Sequence, residues 1–225
     1  MILKPDSVII RKAESVTKFI RQRNAGRPNR HDSENLPDLI LDAAELLFLG
    51  QGYRATSMNQ IATVAGVTKR TLYVKIGDKD SLFAAAVRRM LARRRENLMA
   101  KVTQGTLRER LVEFGEASLT LALDPAVVQL HRVVVAEAPR FPALAKLMEE
   151  QINSGARATL ARFLADEVQQ GNLTITDPVI AAQLLFIMII GQPQRAVLFG
   201  LEPWTPARCK QWIEVSVELF LNGCR

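Results

Sequence analysis

The stretch from Ser57 to Lys75, SMNQIATVAGVTKRTLYVK, constrains the fold more than any other part of the chain. Ser57 is followed three positions later by Gln60 and then by Ile61 and Ala62, so a hydroxyl can cap a first helix while an amide side chain reaches back to the cap. Ala65-Gly66-Val67 supplies a turn in which glycine takes positive φ without a Cβ clash, and Thr68 is an N-cap for a second helix. Ile61, Ala62, Val67 and Leu72 provide the apolar contacts that clamp the two helices, leaving Lys69, Arg70, Thr71, Tyr73 and Lys75 outside. Cations and hydroxyls on that outer surface suit phosphates and base edges, which is the pattern of a DNA-reading helix-turn-helix.

Charge supports the same reading. Residues 1–103 carry 19 Lys and Arg against 10 Asp and Glu, a net charge of +9, whereas residues 104–225 carry 11 against 13, a net charge of −2. The basic half is the half with the motif, as expected for a polyanion partner whose counterions are released on binding.

The wider segment from Leu39 to Leu82 resembles the DNA-binding domain of the TetR family of bacterial transcriptional regulators. The resemblance rests on Ile40 to Phe48 as a first helix, Gly52-Tyr53 before Thr56-Ser57, Ile61-Ala62, Ala65-Gly66-Val67, Thr71-Leu72-Tyr73, and Lys79-Asp80 with Leu82. Two positions depart: Lys75 and Ile76 stand where the family usually has His or Tyr and then Phe. On this reading Thr56, Ser57, Tyr73, Lys75 and Lys79 hold phosphates, Lys69, Arg70 and Thr71 face base edges, and Thr68 opens the reading helix. Arg70 is suited to grip guanine O6 and N7 together.

Ahead of the motif, Ile9, Ala13, Val16 and Ile20 fall on one helical face, and residues 21–30 are polar and basic. Gly26-Arg27-Pro28 resembles the core of an AT-hook, in which Arg27 would enter an A·T minor groove; the alternative is a solvated tether. Three parts are expected: an N-terminal extension over 1–35, the helix-turn-helix domain over 36–82, and a second domain over 83–225. Pro37 opens the first helix, Gly50 and Gly52 end it, and Asp78 caps a long helix to about Val102, whose arginines from Arg88 to Arg95 form a mostly solvated face.

Beyond Leu107 the periodicity stays helical, over Leu107–Leu123, Pro125–Ala138, Phe141 or Pro142 to Gln170, Pro178–Gly200 and Pro206–Leu221. Strand alternation is missing, so the fold class is all-α. The run Val134 to Pro142 also looks like a segment of some TetR-family regulatory domains. The helix from Pro178 is apolar nearly all round, and Gln192-Pro193-Gln194-Arg195 is expected to halt its apolar run short of the ~20 residues of a membrane span. The resemblance implies that the last two helices pair in a homodimer, with Leu184, Ile187, Ile190, Trp212, Val215 and Leu219 at the interface. It also implies a cavity for a small-molecule effector, for which Phe114, Leu121, Met148, Ile152, Phe186 and Met188 are apolar candidates and His131, Arg132 and Arg195 polar ones.

A small all-α enzyme finds no support. There is no GxSxG elbow, HExxH pair or Gly-rich phosphate loop, and His31 and His131 sit in unlike contexts. Cys209 and Cys224 lie roughly 22 Å apart along one expected helix, which points to reduced thiols, and no cofactor or metal cluster can be assembled from spacing. The expectation is a soluble, cytoplasmic protein whose partners are double-stranded DNA, a second copy of the chain and a small molecule, with no membrane. An architectural protein that binds DNA without sequence preference is the remaining alternative.

Overall fold

The structure, a computed structural model, describes residues 36–99, 105–201 and 204–223. Arg27, the amphipathic stretch from Ile9 to Ile20, and Cys224 lie outside the described residues. The described part is helical, with no strand. The helices are α1 (Leu36–Ala55), α2 (Met58–Ala65), α3 (Lys69–Ile76), α4 (Lys79–Met99), α5 (Leu107–Ala122), α6 (Pro125–Glu137), α7 (Pro142–Ile152), α8 (Ala158–Gln169), α9 (Pro178–Leu198) and α10 (Pro206–Gly223). They form two compact units. One takes the described residues up to Leu91 together with Val133–Ala145, and the other takes Ala92–Arg132 and Lys146–Arg225. The helices α4 and α6 each run continuously from one unit into the other.

In the first unit, α1 passes Gly50 and breaks at Gly52, whose φ of 87° and ψ of 167° lie outside the helical region. Gly50, expected to help end this helix, is simply part of it. The break at Gly52 turns Tyr53 inward, where it stacks on Phe48 and meets Phe83 edge-on. Arg89 was expected on a solvated face, but it bridges Asp38 and Asp42 at 2.6 and 2.5 Å and so pins α4 along α1. Asp78 does cap α4, accepting from the Ser81 amide at 2.8 Å, and that hydrogen bond holds its carboxyl below the usual range.

The second unit is built round a core of α5, α8, α9 and α10 in which Leu111, Leu164, Leu185, Ile189, Ile213 and Val217 are buried. Asp124 caps α6 through the amides of Ala126 and Val127, and Asp177 caps α9 through those of Val179 and Ile180. The single helix expected from Pro142 to Gln170 is divided. A wide π-type turn occupies Asn153–Arg157, and Gly155 leaves helical geometry with φ −98° and ψ −107°.

The helix expected from Pro178 to Gly200 forms through Pro193 as α9, which ends at Leu198. Only the expected length fails: α9 has 21 residues, although its apolar run was expected to fall short of a membrane span. By length and composition it is therefore long enough to cross a membrane, but a buried helix of a bundle core passes the same test. Pro193 lacks the N–H that would bond the carbonyl of Ile189, four residues back. The missing donor comes from another helix: the indole N–H of Trp212 on α10 reaches the Ile189 carbonyl at 3.1 Å and that of Met188 at 2.9 Å. A proline is tolerated inside α9 because a tryptophan answers the carbonyl it orphans.

Trp212→Phe should accordingly lower the unfolding free energy by about 1–3 kcal/mol, the cost of an unsatisfied buried acceptor. Pro193→Ala restores an N–H to the Ile189 carbonyl, so the loss measured by urea titration should shrink in the double variant. Equal losses in both backgrounds would show that the indole hydrogen bond contributes nothing to tolerating the proline.

Candidate nucleic-acid interface

The turn between α2 and α3 is fixed by local chemistry. The Ser57 hydroxyl accepts from the Gln60 amide at 3.2 Å while the Gln60 side chain accepts from the Ser57 N–H at 2.8 Å, so the expected capping box is complete. Gly66 adopts the left-handed conformation, with φ 67° and ψ 33°, and its N–H closes the end of α2 on the carbonyls of Ala62 and Thr63. Thr68 then caps α3 by accepting from the Thr71 amide at 3.1 Å. Leu72, at 0% exposure, is the buried anchor of α3.

That anchor dictates which way every other residue of α3 points. Lys69, Arg70, Tyr73, Val74 and Lys75 are all exposed, and Thr71 is half-buried with its hydroxyl 2.8 Å from that of Thr68. The Lys69 ammonium lies 5.8 Å from the Tyr73 ring centroid, which keeps cation and aromatic on adjoining ground. Ser57 is exposed at the start of α2. Thr56 is not available in the way expected. Its side chain is 2% exposed, and its hydroxyl donates to the Gly52 carbonyl at 2.8 Å, so it closes the bend after α1 instead of reaching outward.

Lys79 stands on a small polar platform. Its ammonium sits 4.3 Å above the Tyr53 ring and donates to the Arg54 carbonyl at 3.5 Å, and burial pulls its pKa below the ordinary lysine value. Beneath it the Tyr53 hydroxyl donates to the Asp80 carboxylate; burial, then that bond, push the phenol pKa well up, so Tyr53 stays protonated. Two residues from much later in the chain complete the platform. Phe141 packs edge-on against Tyr53 with centroids 5.1 Å apart, and the Glu137 carboxylate accepts from the Arg54 amide at 3.3 Å. Neither residue was among the sequence candidates, although both fall in the Val134 to Pro142 run.

The remaining candidates belong to the second unit. Leu184, Ile187, Val215 and Leu219 are exposed, and Ile180 adds to the same face of α9, one turn before Leu184. Ile190 and Trp212 differ from them. Ile190 is 5% exposed within the core, and Trp212 is half-buried with its indole N–H turned onto α9. Phe114 and Met148 are buried, while Leu121, His131, Ile152, Phe186 and Met188 are half-buried. A groove of about 560 Å³ is lined by Ser154, Arg157, Ala158, Ala161, Arg162, Val179 and Gln183, a set that includes none of the effector candidates. Phe186 comes near that set, lying 5.3 Å under the Arg157 guanidinium.

Residues 40–86 match the family described as bacterial regulatory proteins, tetR family, and residues 109–223 match the C-terminal domain of AefR-like transcriptional repressors. Among solved structures the chain is similar to the flavonoid-responsive regulator FrrA, with 31% identity, a TM-score of 0.72, and 85% of this chain and 98% of that one covered. The chain belongs to the TetR family. A TetR family regulator from Pseudomonas syringae is similar at 25% identity and a TM-score of 0.64, over 83% of this chain and 95% of that one. The HTH-type regulator YezE of Bacillus subtilis is 25% identical over 117 residues, 50% of this chain; the matched stretch spans only 60% of that relative. TetR family membership makes the protein a transcriptional regulator and not an enzyme.

The placement of Thr56 and Lys79 separates two roles experimentally. Thr56→Val should lower stability by about 1 kcal/mol through the lost hydroxyl bond and leave the salt dependence of DNA binding unchanged. Lys79→Met should reduce the slope of log affinity against log salt by about 1, the signature of one lost phosphate contact. A reduced slope in the Thr56 variant would mean that its hydroxyl reaches the backbone after all.

Proposed function

We propose that this chain is a ligand-responsive repressor, which occupies a palindromic operator as a homodimer in the cytoplasm and is released by a small, largely apolar effector. The observation that carries the reading is the exposed cationic surface of α3, held outward by the fully buried Leu72. Residues 36–82 read DNA, with Arg70 and Lys69 over base edges and Ser57, Tyr73, Lys75 and Lys79 on phosphates, and residues 83–225 bind effector and partner. Arg27, within the basic 1–35 extension, adds a minor-groove contact.

The dimer is supported by Ile180, Leu184 and Ile187 on α9 with Val215 and Leu219 on α10, exposed aliphatic side chains on two helices that pack against each other. Burying that face against its copy removes apolar area from water and gives two reading helices for half-sites about 34–36 Å apart, or a multiple of that. The name of FrrA, flavonoid-responsive, supports an aromatic or otherwise apolar effector. His131 offers such a ligand a polar handle: its Nδ1 is buried without a hydrogen-bond partner, and burial holds its pKa below the ordinary histidine value. The effector acts by favouring one dimer geometry over another, transmitted through α4, since a ligand shifts an equilibrium only through differential affinity for its two states.

Footprinting on the DNA flanking the chain's own gene should reveal a two-fold symmetric site, and Arg70→Ala should relax the base preference there. Ile187→Glu places a charge in the middle of the aliphatic face. It should convert the protein to monomers in sedimentation velocity and weaken operator binding at least tenfold. A variant that remains dimeric would move the interface away from this face of α9.

A further inference from the structure

Val74 is the most exposed large apolar side chain among the described residues, at 76%. One exposed valine needs no explanation by itself. Its position is what singles it out. It lies four residues after Arg70, one helical turn along, so the two side chains stand one above the other on the same face of α3. Leu72, two residues before Val74, is on the opposite side and fully buried, and this makes the Arg70 and Val74 face the most outward part of the helix. The other exposed residues of α3, Lys69, Tyr73 and Lys75, carry charge or a hydroxyl and flank that face. A self-association patch would need a broad apolar surface, and beside Val74 on α3 the only exposed large hydrophobic is Tyr73, whose ring carries a hydroxyl and lies near the Lys69 ammonium. The β-branched side chain is also a poor helix former, so helix propensity gives no reason for valine at an exposed site.

A duplex offers a partner of the right chemistry. Most groups on the major-groove edges of the bases are hydrogen-bond donors or acceptors, which valine cannot use; the 5-methyl group of thymine is the apolar one. We propose that Val74 is a specificity-determining residue that packs on a thymine methyl close to the guanine gripped by Arg70. This rests on the reading of α3 as the base-reading helix and adds to it a second base and a different kind of contact. One turn of helix carries Val74 ~6 Å along the axis from Arg70, and base pairs are stacked ~3.4 Å apart, so the thymine lies within two base pairs of that guanine.

The test uses the full chain. Its preferred half-site is first selected from a random duplex library, and each thymine is then replaced in turn by uracil, which removes the methyl group and nothing else. At one thymine within two base pairs of a guanine, the swap should weaken binding of the unaltered protein about fourfold per half-site, the effect of one buried methyl group. Val74→Ala should bind the thymine site more weakly and be indifferent to the same swap, while Val74→Thr, which keeps one methyl, should fall between. The exposure of Val74 means that these variants keep the fold, and circular dichroism verifies it. If the chain selects a half-site but the effects of Val74→Ala and the uracil swap simply add at every thymine, Val74 reads no methyl group and the inference is overturned. If the chain selects no sequence at all, the base-reading role of α3 fails first, which is a distinguishable result.

Discussion

The burial of Leu72 is the constraint on which the outward face of α3 depends. A helix of eight residues is too short to be stable alone, and its orientation has to come from packing. With its only fully buried side chain turned into the contact with α1 and α2, α3 cannot roll about its axis without exposing a leucine or burying a cation. Arg70 and Val74 then face outward, with Lys69 and Lys75 towards the two sides. The caps at Ser57, Thr68 and Asp78 serve the same end. Each begins a helix at a defined residue, and so sets the rotational phase of the turns after it.

Under that arrangement lies a second support that is not local in sequence. Phe48, Tyr53, Phe83 and Phe141 form a chain of edge-on and stacked ring contacts, and Tyr53 carries Lys79 on its face and bonds Asp80 with its hydroxyl. The backbone of Arg54 is held on both sides, its N–H by Glu137 and its carbonyl by Lys79. Residues of the α6 to α7 connection thus belong to the same compact unit as the helix-turn-helix. Since α6 begins in the other unit and ends at Glu137, it is covalently continuous with both, as is α4.

What could be read from the sequence was what local chemistry fixes. Hydroxyl and carboxylate caps, the left-handed Gly66 and the proline at the start of α9 act within four residues, and the family landmarks are made of such signals. What could not be read depended on distant partners. Thr56 sits beside Ser57 and shares its chemistry, but the bend at Gly52 aims its hydroxyl inward. The helical period carried α9 through Pro193, but the donor that answers the carbonyl left by the proline, Trp212, is on another helix and gave no local signal. Ile187 and Ile190 are the same residue type three positions apart. In a helix apolar nearly all round, no pattern tells which faces the core, and packing against α5 and α10 puts Ile190 inside and leaves Ile187 out. The break at Asn153-Ser154-Gly155 did have a local signal, a polar pair before a glycine, which the long apolar periodicity on either side outweighed.

The aliphatic face of α9 and α10 also bears on how tightly two copies can hold together. Ile180, Leu184, Ile187, Val215 and Leu219 are each between 52% and 63% exposed, so on dimerisation each buries only part of its side chain. At roughly 1 kcal/mol apiece, half the lower to middle range for full burial of such residues, the two copies would gain on the order of 10 kcal/mol. Association costs about 4–15 kcal/mol in lost rigid-body freedom, so the two terms are comparable. A pair held by this face alone is sensitive to concentration. On the proposed reading, an operator with two half-sites would shift that balance without adding any contact between the copies, because a second subunit beside the first meets its half-site at a high effective concentration. In the proposed homodimer, association of the two copies and operator binding would be linked, and a ligand favouring a dimer with altered half-site spacing would weaken operator binding.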